Sequence, residues 1–178
     1  MNDRIIIAML KKKEFENAFN AIVDSYSERL YWHIRRFTDS HDDTNDLIQE
    51  VFIKIWAALP SFRRDAQLFT WIYRIATNEA LNFLRKQKIR ALISLDSADS
   101  ILDRKLEQDA YFNGDKLQTE LQKAIIRLPE KQRIVFNLRY FEEMKYEDIS
   151  EITGTSVGAL KASYHHAYNK IKETLLNL

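Results

Sequence analysis

The stretch YEDISEITGTSVGALKASYHHAYNKIK, residues 146–172, decides the fold. Ile149 and Ile152 lie three apart and share one face of a first helix, Gly154 suits the positive φ that ends it, and Thr155 or Ser156 suits the N-cap of a second. Two helices hinged at a tight turn are the layout of a DNA-reading helix-turn-helix. On the second helix Val157, Leu160, Tyr164, Ile171 and Leu175 gather on one side of the wheel and are expected to face a core. Ala162, His166 and Asn169 occupy the other side, flanked by Lys161, Ser163, His165 and Lys170. Gly158 and Ala159 keep the first turn narrow, so its free N–H groups and positive dipole end can approach a phosphate. Any surface helix has one apolar and one polar face, and taken alone the segment fits an ordinary amphipathic pair equally well.

Around it, 178 residues leave room for one large domain or two small ones, and a hydrophobic content of 46% suffices to bury real cores. Only 3 Gly and 2 Pro leave few places for the turns of a β fold, and apolar residues recur every three or four positions through long segments. The expected fold class is therefore all-α. Aromatic content of 12% and charged content of 30% exclude wholesale disorder. With no Cys, disulfides and thiolate metal sites are excluded, and His33, His41, His165 and His166 offer no ligand spacing for zinc, so neither metal nor cofactor is expected. No nucleophile and base pair, metal cluster or glycine-rich phosphate loop stands out, which argues against an enzyme and leaves no catalytic residue to name. No run approaches the roughly twenty apolar residues of a membrane span, and the N-terminus lacks a signal-peptide cleavage pattern. A cytoplasmic protein without membrane insertion is expected. The net charge of only +1 means that any DNA contact must come from local basic patches.

Upstream, Phe15, Phe19, Ile22, Val23, Tyr26, Leu30, Ile34 and Phe37 recur at helical spacing. A polar break at residues 38–43 follows, where Asp42 or Asp43 suits the cap of a helix over residues 43–59 that Pro60 stops. Leu47, Val51, Ile55 and Leu59 form its core stripe, with Asp46, Gln49, Glu50 and Lys54 outside. A loop over residues 61–67 leads to a third helix over about residues 69–89. Residues 94–115 then gather Asp96, Asp99, Asp103, Glu107, Asp109 and Asp115 against only Arg104 and Lys105, an acidic linker. The second block begins near Leu117 with the stripe Leu121, Ile125 and Leu128; Pro129 opens the next helix, carrying Ile134, Leu138 and Phe141. The expected division is a first domain over residues 1–92, a linker over 93–115 and a helix-turn-helix domain over 116–178.

Two surfaces of the first block carry chemistry. The segment FRRDAQLFTWIYRIATNEALNFLRKQKIR, residues 62–90, interleaves Phe62, Phe69, Trp71 and Tyr73 with Arg63, Arg64, Arg74, Arg85, Lys86, Lys88 and Arg90. Cations attract a phosphate backbone and aromatics stack on exposed bases at about 1–3 kcal/mol each, a mixture suited to single-stranded or melted DNA. Asn78 and Asn82, four apart, add amides for base edges. The competing reading makes Trp71, Ile72 and Ile75 core and the arginines a solvated face. On the preceding helix Asp46, Gln49 and Glu50 form an acidic and amide strip beside Phe52 and Trp56. Such a strip repels DNA, so it is either a protein-docking face or simply solvated.

The order DTNDLIQEVFIKIW, FRRDAQLFTWIYRIATNEALNFLR, acidic linker, LPEKQRIVFNLRYFEEMKYEDISEITGTSVGALKASYHHAYNKIK resembles the extracytoplasmic-function group of bacterial sigma factors, over residues 15–175. The resemblance implies a promoter-specificity subunit that binds core RNA polymerase through the β′ clamp helices and the β flap, and places two helical domains on two promoter elements. It implies that Asp46, Gln49 and Glu50 face the clamp helices. It implies that the loop with Arg63, Arg64, Asp65 and Gln67 captures a flipped base of the minus-ten element, and that Arg74, Asn78, Asn82 and Arg85 contact the melted strand. Thr155, Ser156, Lys161, Ser163, His165 and His166 would lie near the minus-thirty-five element. The linker would thread toward the RNA exit path, and an anti-sigma factor would be the inhibitor.

The recognition helix departs from relatives that carry several arginines after the Val-Gly pair, since His165 and His166 stand where fixed cations are expected. Upstream-element binding is then expected to weaken as pH rises from about 6 to about 8. The rival reading is a helix-turn-helix regulator that binds duplex DNA without polymerase, which leaves the acidic helix and the aromatic-basic helix unexplained.

Overall fold

The computed structural model describes residues 3–62, 67–93 and 116–177, and every regular element among them is helical. Helix α1 (Asp3–Lys11) buries Ile6 and Leu10, a helix that the periodicity reading passed over because only its short apolar run stood out. Tyr26 Oη donates to Asp3 Oδ1 at 2.7 Å and ties α1 to α2 (Phe15–Arg35). On α2 the stripe Ile22, Tyr26, Leu30 and Ile34 is buried as its spacing predicts, with Phe15 and Phe19 half-buried at its start.

Helix α3 (His41–Ala58) starts earlier than expected. Its N-cap is Ser40, not Asp42 or Asp43: Ser40 Oγ accepts from the Asp43 amide at 3.1 Å and donates to Asp43 Oδ2 at 2.6 Å. A hydroxyl both accepts and donates, so it closes this reciprocal loop, while Asp42 and Asp43 serve the dipole from within the first turn. Leu47, Val51 and Ile55 are buried, and a single 3-10 turn (Leu59–Ser61) carrying Pro60 ends the helix. Helix α4 (Leu68–Ile93) extends beyond the expected range at both ends. It packs on α3 and α2, and Lys54 Nζ on α3 meets Glu79 Oε1 on α4 at 2.6 Å.

The second block contains α5 (Lys116–Ile126), α6 (Glu130–Phe136) running into a π turn (Asn137–Phe141), α7 (Tyr146–Thr153) and α8 (Val157–Leu176). Pro129 caps α6 at φ −53°, the value its ring imposes. Gly154 ends α7 at φ 67°; a Cβ there would meet nothing within 4 Å, so conformation rather than space selects glycine. Ser156, of the two candidates, caps α8 and accepts from the Ala159 amide at 3.4 Å. Leu160, Ala167 and Ile171 are the buried stripe of α8, with Val157, Tyr164 and Leu175 half-buried beside it.

One apolar cluster joins Ile125, Leu128 and Phe136 to Ala167 and Ile171 inside the second block. The other runs through α1 to α4 and continues into Leu138, Met144, Ile149, Ile152 and Leu160, with α7 packed on α4. The two blocks thus share a core. The acidic segment 94–115 lies outside the described residues.

Candidate nucleic-acid and protein interfaces

Three polar faces emerge from this packing. On α3 the buried stripe turns Asp46, Gln49 and Glu50 outward, and all three are exposed. Ile53 at 67% and Trp56 at 46% exposure continue the strip, with Phe19 edge-on to Trp56 at 5.2 Å. Ile53 escaped the sequence reading, since a lone exposed isoleucine leaves no periodic signal. Behind the acidic strip a cleft of about 380 Å³ is lined by Asp43, Asp46, Glu50, Glu79, Asn82 and Lys86 among others. Carboxylates with apolar flanks suit a basic, partly apolar protein helix.

The α4 face is built differently. Phe62 and Tyr73 are buried, and Phe69 and Trp71 pack half-buried against the core, with Phe62 and Trp71 at 5.0 Å. This arrangement corrects the stacking expectation for Phe62 and Tyr73, whose rings fill the space between α2, α4 and the 3-10 turn. Arg74, Asn78, Asn82 and Arg85 do lie along one side of α4: Asn78 and Arg85 are exposed, Asn82 is half-buried, and Arg85 Nη1 donates to Asn82 Oδ1 at 3.1 Å. Arg74 is engaged by α7, its Nη2 donating to Glu151 Oε1 at 2.8 Å and to the Glu151 carbonyl at 3.1 Å. Gln67 is exposed at the mouth of α4, whereas Arg63, Arg64 and Asp65 lie outside the described residues.

Beneath α4 sits His33, fully buried, its Nε2 at 3.2 Å from Thr77 Oγ1 and its ring 5.0 Å from Tyr73. Burial, assisted by the nearby Arg36 charge, pulls its pKa down to about 3, so the ring is neutral. It is a core residue.

On the helix-turn-helix, Lys161, His165 and His166 are exposed, Ser163 and Thr155 are half-buried, and Ser156 is exposed while capping α8. Lys161 Nζ lies 5.7 Å from the Tyr146 ring centroid, and His165 Nε2 pairs with Asn169 Nδ2 at 3.0 Å. The free N–H end of α8 and Lys161 therefore share one outward surface.

Between the blocks stands a polar cluster without a local sequence signal. Tyr73 Oη donates to Glu142 Oε2, Arg29 Nη2 donates to the same oxygen at 3.2 Å, and Arg36 Nη1 reaches Oε1 at 3.5 Å. Burial holds the Arg36 guanidinium down to about 10 despite the opposing pull of Glu142, and burial with Glu142 pushes the Tyr73 phenol up.

Residues 22–90 match the family model of Sigma-70 region 2, and residues 118–171 match that of Sigma-70, region 4. The chain is 30% identical over 176 residues to the ECF RNA polymerase sigma factor SigW of Bacillus subtilis, covering 94% of each. It is 32% identical over 181 residues to the ECF RNA polymerase sigma-E factor of Escherichia coli K12, covering 96% of this chain and 93% of that one. Among solved structures, CnrH in complex with the cytosolic domain of CnrY matches with a TM-score of 0.70 and 22% identity over 97% of this chain and 96% of that one. The sigma factor RpoE in complex with the anti-sigma factor NepR from Bartonella quintana matches with a TM-score of 0.70 and 23% identity over 88% of this chain and 96% of that one. The chain belongs to the extracytoplasmic-function sigma factors of the sigma-70 family. Its function is to bind core RNA polymerase and recognise promoter DNA, as a specificity subunit rather than an enzyme. That membership sets aside the rival regulator acting without polymerase. No helix among the described residues is long and apolar enough to cross a membrane.

Proposed function

We propose that the sigma function divides among the three faces. Asp46, Gln49 and Glu50, extended by Ile53 and Trp56, dock the β′ clamp helices, and the exposure of this strip is the observation that carries the assignment. Arg74, Asn78, Asn82 and Arg85 on α4, with the loop through Arg63, Arg64, Asp65 and Gln67, engage the melted minus-ten strand. Unstacking a base costs a few kcal/mol, which a preformed surface offsets. Thr155, Ser156, Lys161, Ser163, His165 and His166 face the minus-thirty-five element, and the second block also meets the β flap. Domains over residues 1–92 and 116–178, joined by the acidic segment, bring two weak readers to one promoter at high effective concentration.

CnrH and the Bartonella RpoE were solved with CnrY and NepR respectively, and an anti-sigma factor is likewise proposed as a partner here. A cytoplasmic location follows from these partners. The test is site-specific photo-crosslinking in a transcription-competent complex with core polymerase. A crosslinking residue in place of Ile53 is expected to label β′, and one in place of Asn78 the non-template promoter strand. Labelling of DNA from position 53, or of β′ alone from position 78, would reverse the two assignments.

A further inference from the structure

Glu142 has more partners than its sequence neighbourhood explains. Its side chain is only 5% exposed, and its donors Arg29, Arg36 and Tyr73 lie 113, 106 and 69 residues away, on α2 and α4. The chain is bent to deliver it: Glu142 closes the π turn, and Glu143 holds φ 54°, a left-handed conformation uncommon outside glycine. The Arg36 guanidinium also lies 3.5 Å from the Phe141 ring centroid, so the residue before Glu142 is gripped by the same arginine.

Other ties surround this point. Gln122 Nε2 donates to the Arg35 carbonyl at 2.7 Å in a buried contact, and Lys88 Nζ meets Glu130 Oε2 at 3.1 Å. The functional weight falls on Arg74, because a carboxylate from α7 takes the place that a phosphate would occupy. A guanidinium held by Glu151 cannot serve DNA at the same time.

We propose that Glu142 is a clasp that keeps the polymerase-free chain closed, with α7 masking the DNA side of α4, so that the promoter strand is engaged only after the two blocks separate. The masking consequence rests on α4 being the minus-ten reader; the clasp itself rests on geometry alone. A buried carboxylate among two guanidiniums and a phenol adds little net stability compared with apolar packing, yet removal of the carboxylate leaves Arg36 buried without its counter-charge. Such a cluster is directional: it favours one arrangement of the blocks and loses its hold once water enters. An open form populated at about one part in ten would bind DNA about tenfold more weakly than a permanently open chain.

The absence of native cysteine allows the full chain to be labelled in pairs. Spin labels at Glu16→Cys on α2 and Glu173→Cys on α8, both exposed, report the separation of the blocks by double electron-electron resonance. The expected result is one narrow distance in the parent, a broader and longer distribution with Glu142→Ala, and an intermediate one with Tyr73→Phe. Tyr73→Phe keeps the ring and removes only the hydroxyl, so it carries the test if Glu142→Ala does not fold. A short fluorescent single-stranded oligonucleotide of mixed sequence then probes α4, with about tenfold tighter binding expected for Glu142→Ala. A broad distribution in the parent, or a narrow one that survives the substitutions, overturns the clasp. Broadening without any gain in oligonucleotide binding upholds the clasp and removes the minus-ten reading of α4.

Discussion

The outward sides of α3 and α4 are neighbours in one bundle, and both present polar groups along a buried stripe. On α3, Asp46, Gln49, Glu50 and Ile53 face solvent. On α4, Arg74 is held by Glu151, and Tyr73 by Glu142, both from the second block. The contrast teaches an order of events: the face assigned to polymerase is available in the closed chain, and the face assigned to promoter DNA is covered. Docking can therefore precede reading, and a sigma subunit free of polymerase does not spend its DNA surface on random single strands.

The comparison can be broken first at the shared core. Ile149 is fully buried in the cluster that spans both blocks. Ile149→Ala is expected to lower stability by about 2–5 kcal/mol, read by urea unfolding as one shifted transition. Two separate transitions would show that the blocks fold independently and that α7 does not cover α4.

Next in size is charge reversal on the open face. Asp46→Lys with Glu50→Lys is expected to weaken core polymerase binding at least about tenfold, or about 1.4 kcal/mol, while oligonucleotide binding by the free chain does not fall. Undiminished polymerase affinity in a pull-down titration removes α3 from the docking role.

A third test uses acid. The folded pKa of His33 is lowered from 6.5 to about 3, so between those values the unfolded chain binds a proton that the folded chain does not. Stability should therefore fall as pH drops from about 6.5 toward 3, with this residue contributing at most about 1.4 kcal/mol per pH unit. His33→Asn should flatten that limb in unfolding titrations; an unchanged slope would show that other groups set it.

The smallest effect concerns the exposed pair. Arg74 and Glu151 are 39% and 58% exposed, so Glu151→Ala should change stability by no more than about 0.5 kcal/mol. A larger loss in thermal unfolding would mean that this pair, rather than Glu142, closes the two blocks.

Much of the fold was legible because periodicity is local. Leu47, Val51 and Ile55, or Ile149, Gly154 and Ser156, announce their roles within a few residues of each other. The candidate faces were legible for the same reason: Asp46, Gln49 and Glu50 are what a buried stripe leaves outside. Capping by Ser40 was less so, because Asp42 and Asp43 are equally good formers of a first turn. Phe62 and Tyr73 misled as stacking candidates, since an aromatic among arginines reads the same whether it points into or out of a bundle. Glu142, Arg29 and Arg36 could not be paired from sequence at all, because their contact exists only once distant segments pack.

The π turn at Asn137–Phe141 carries a consequence for register. A π turn is a one-residue insertion into an α-helix, and each residue advances the helix by about 100°. Deleting one residue there would restore the ordinary ladder and give the buried Asn137 amide, which has no hydrogen-bond partner among the described residues, a new setting. It would also rotate Glu142 by about a quarter turn away from Tyr73. The angular phase between the helix-turn-helix and the first block is thus stored in a single surplus residue.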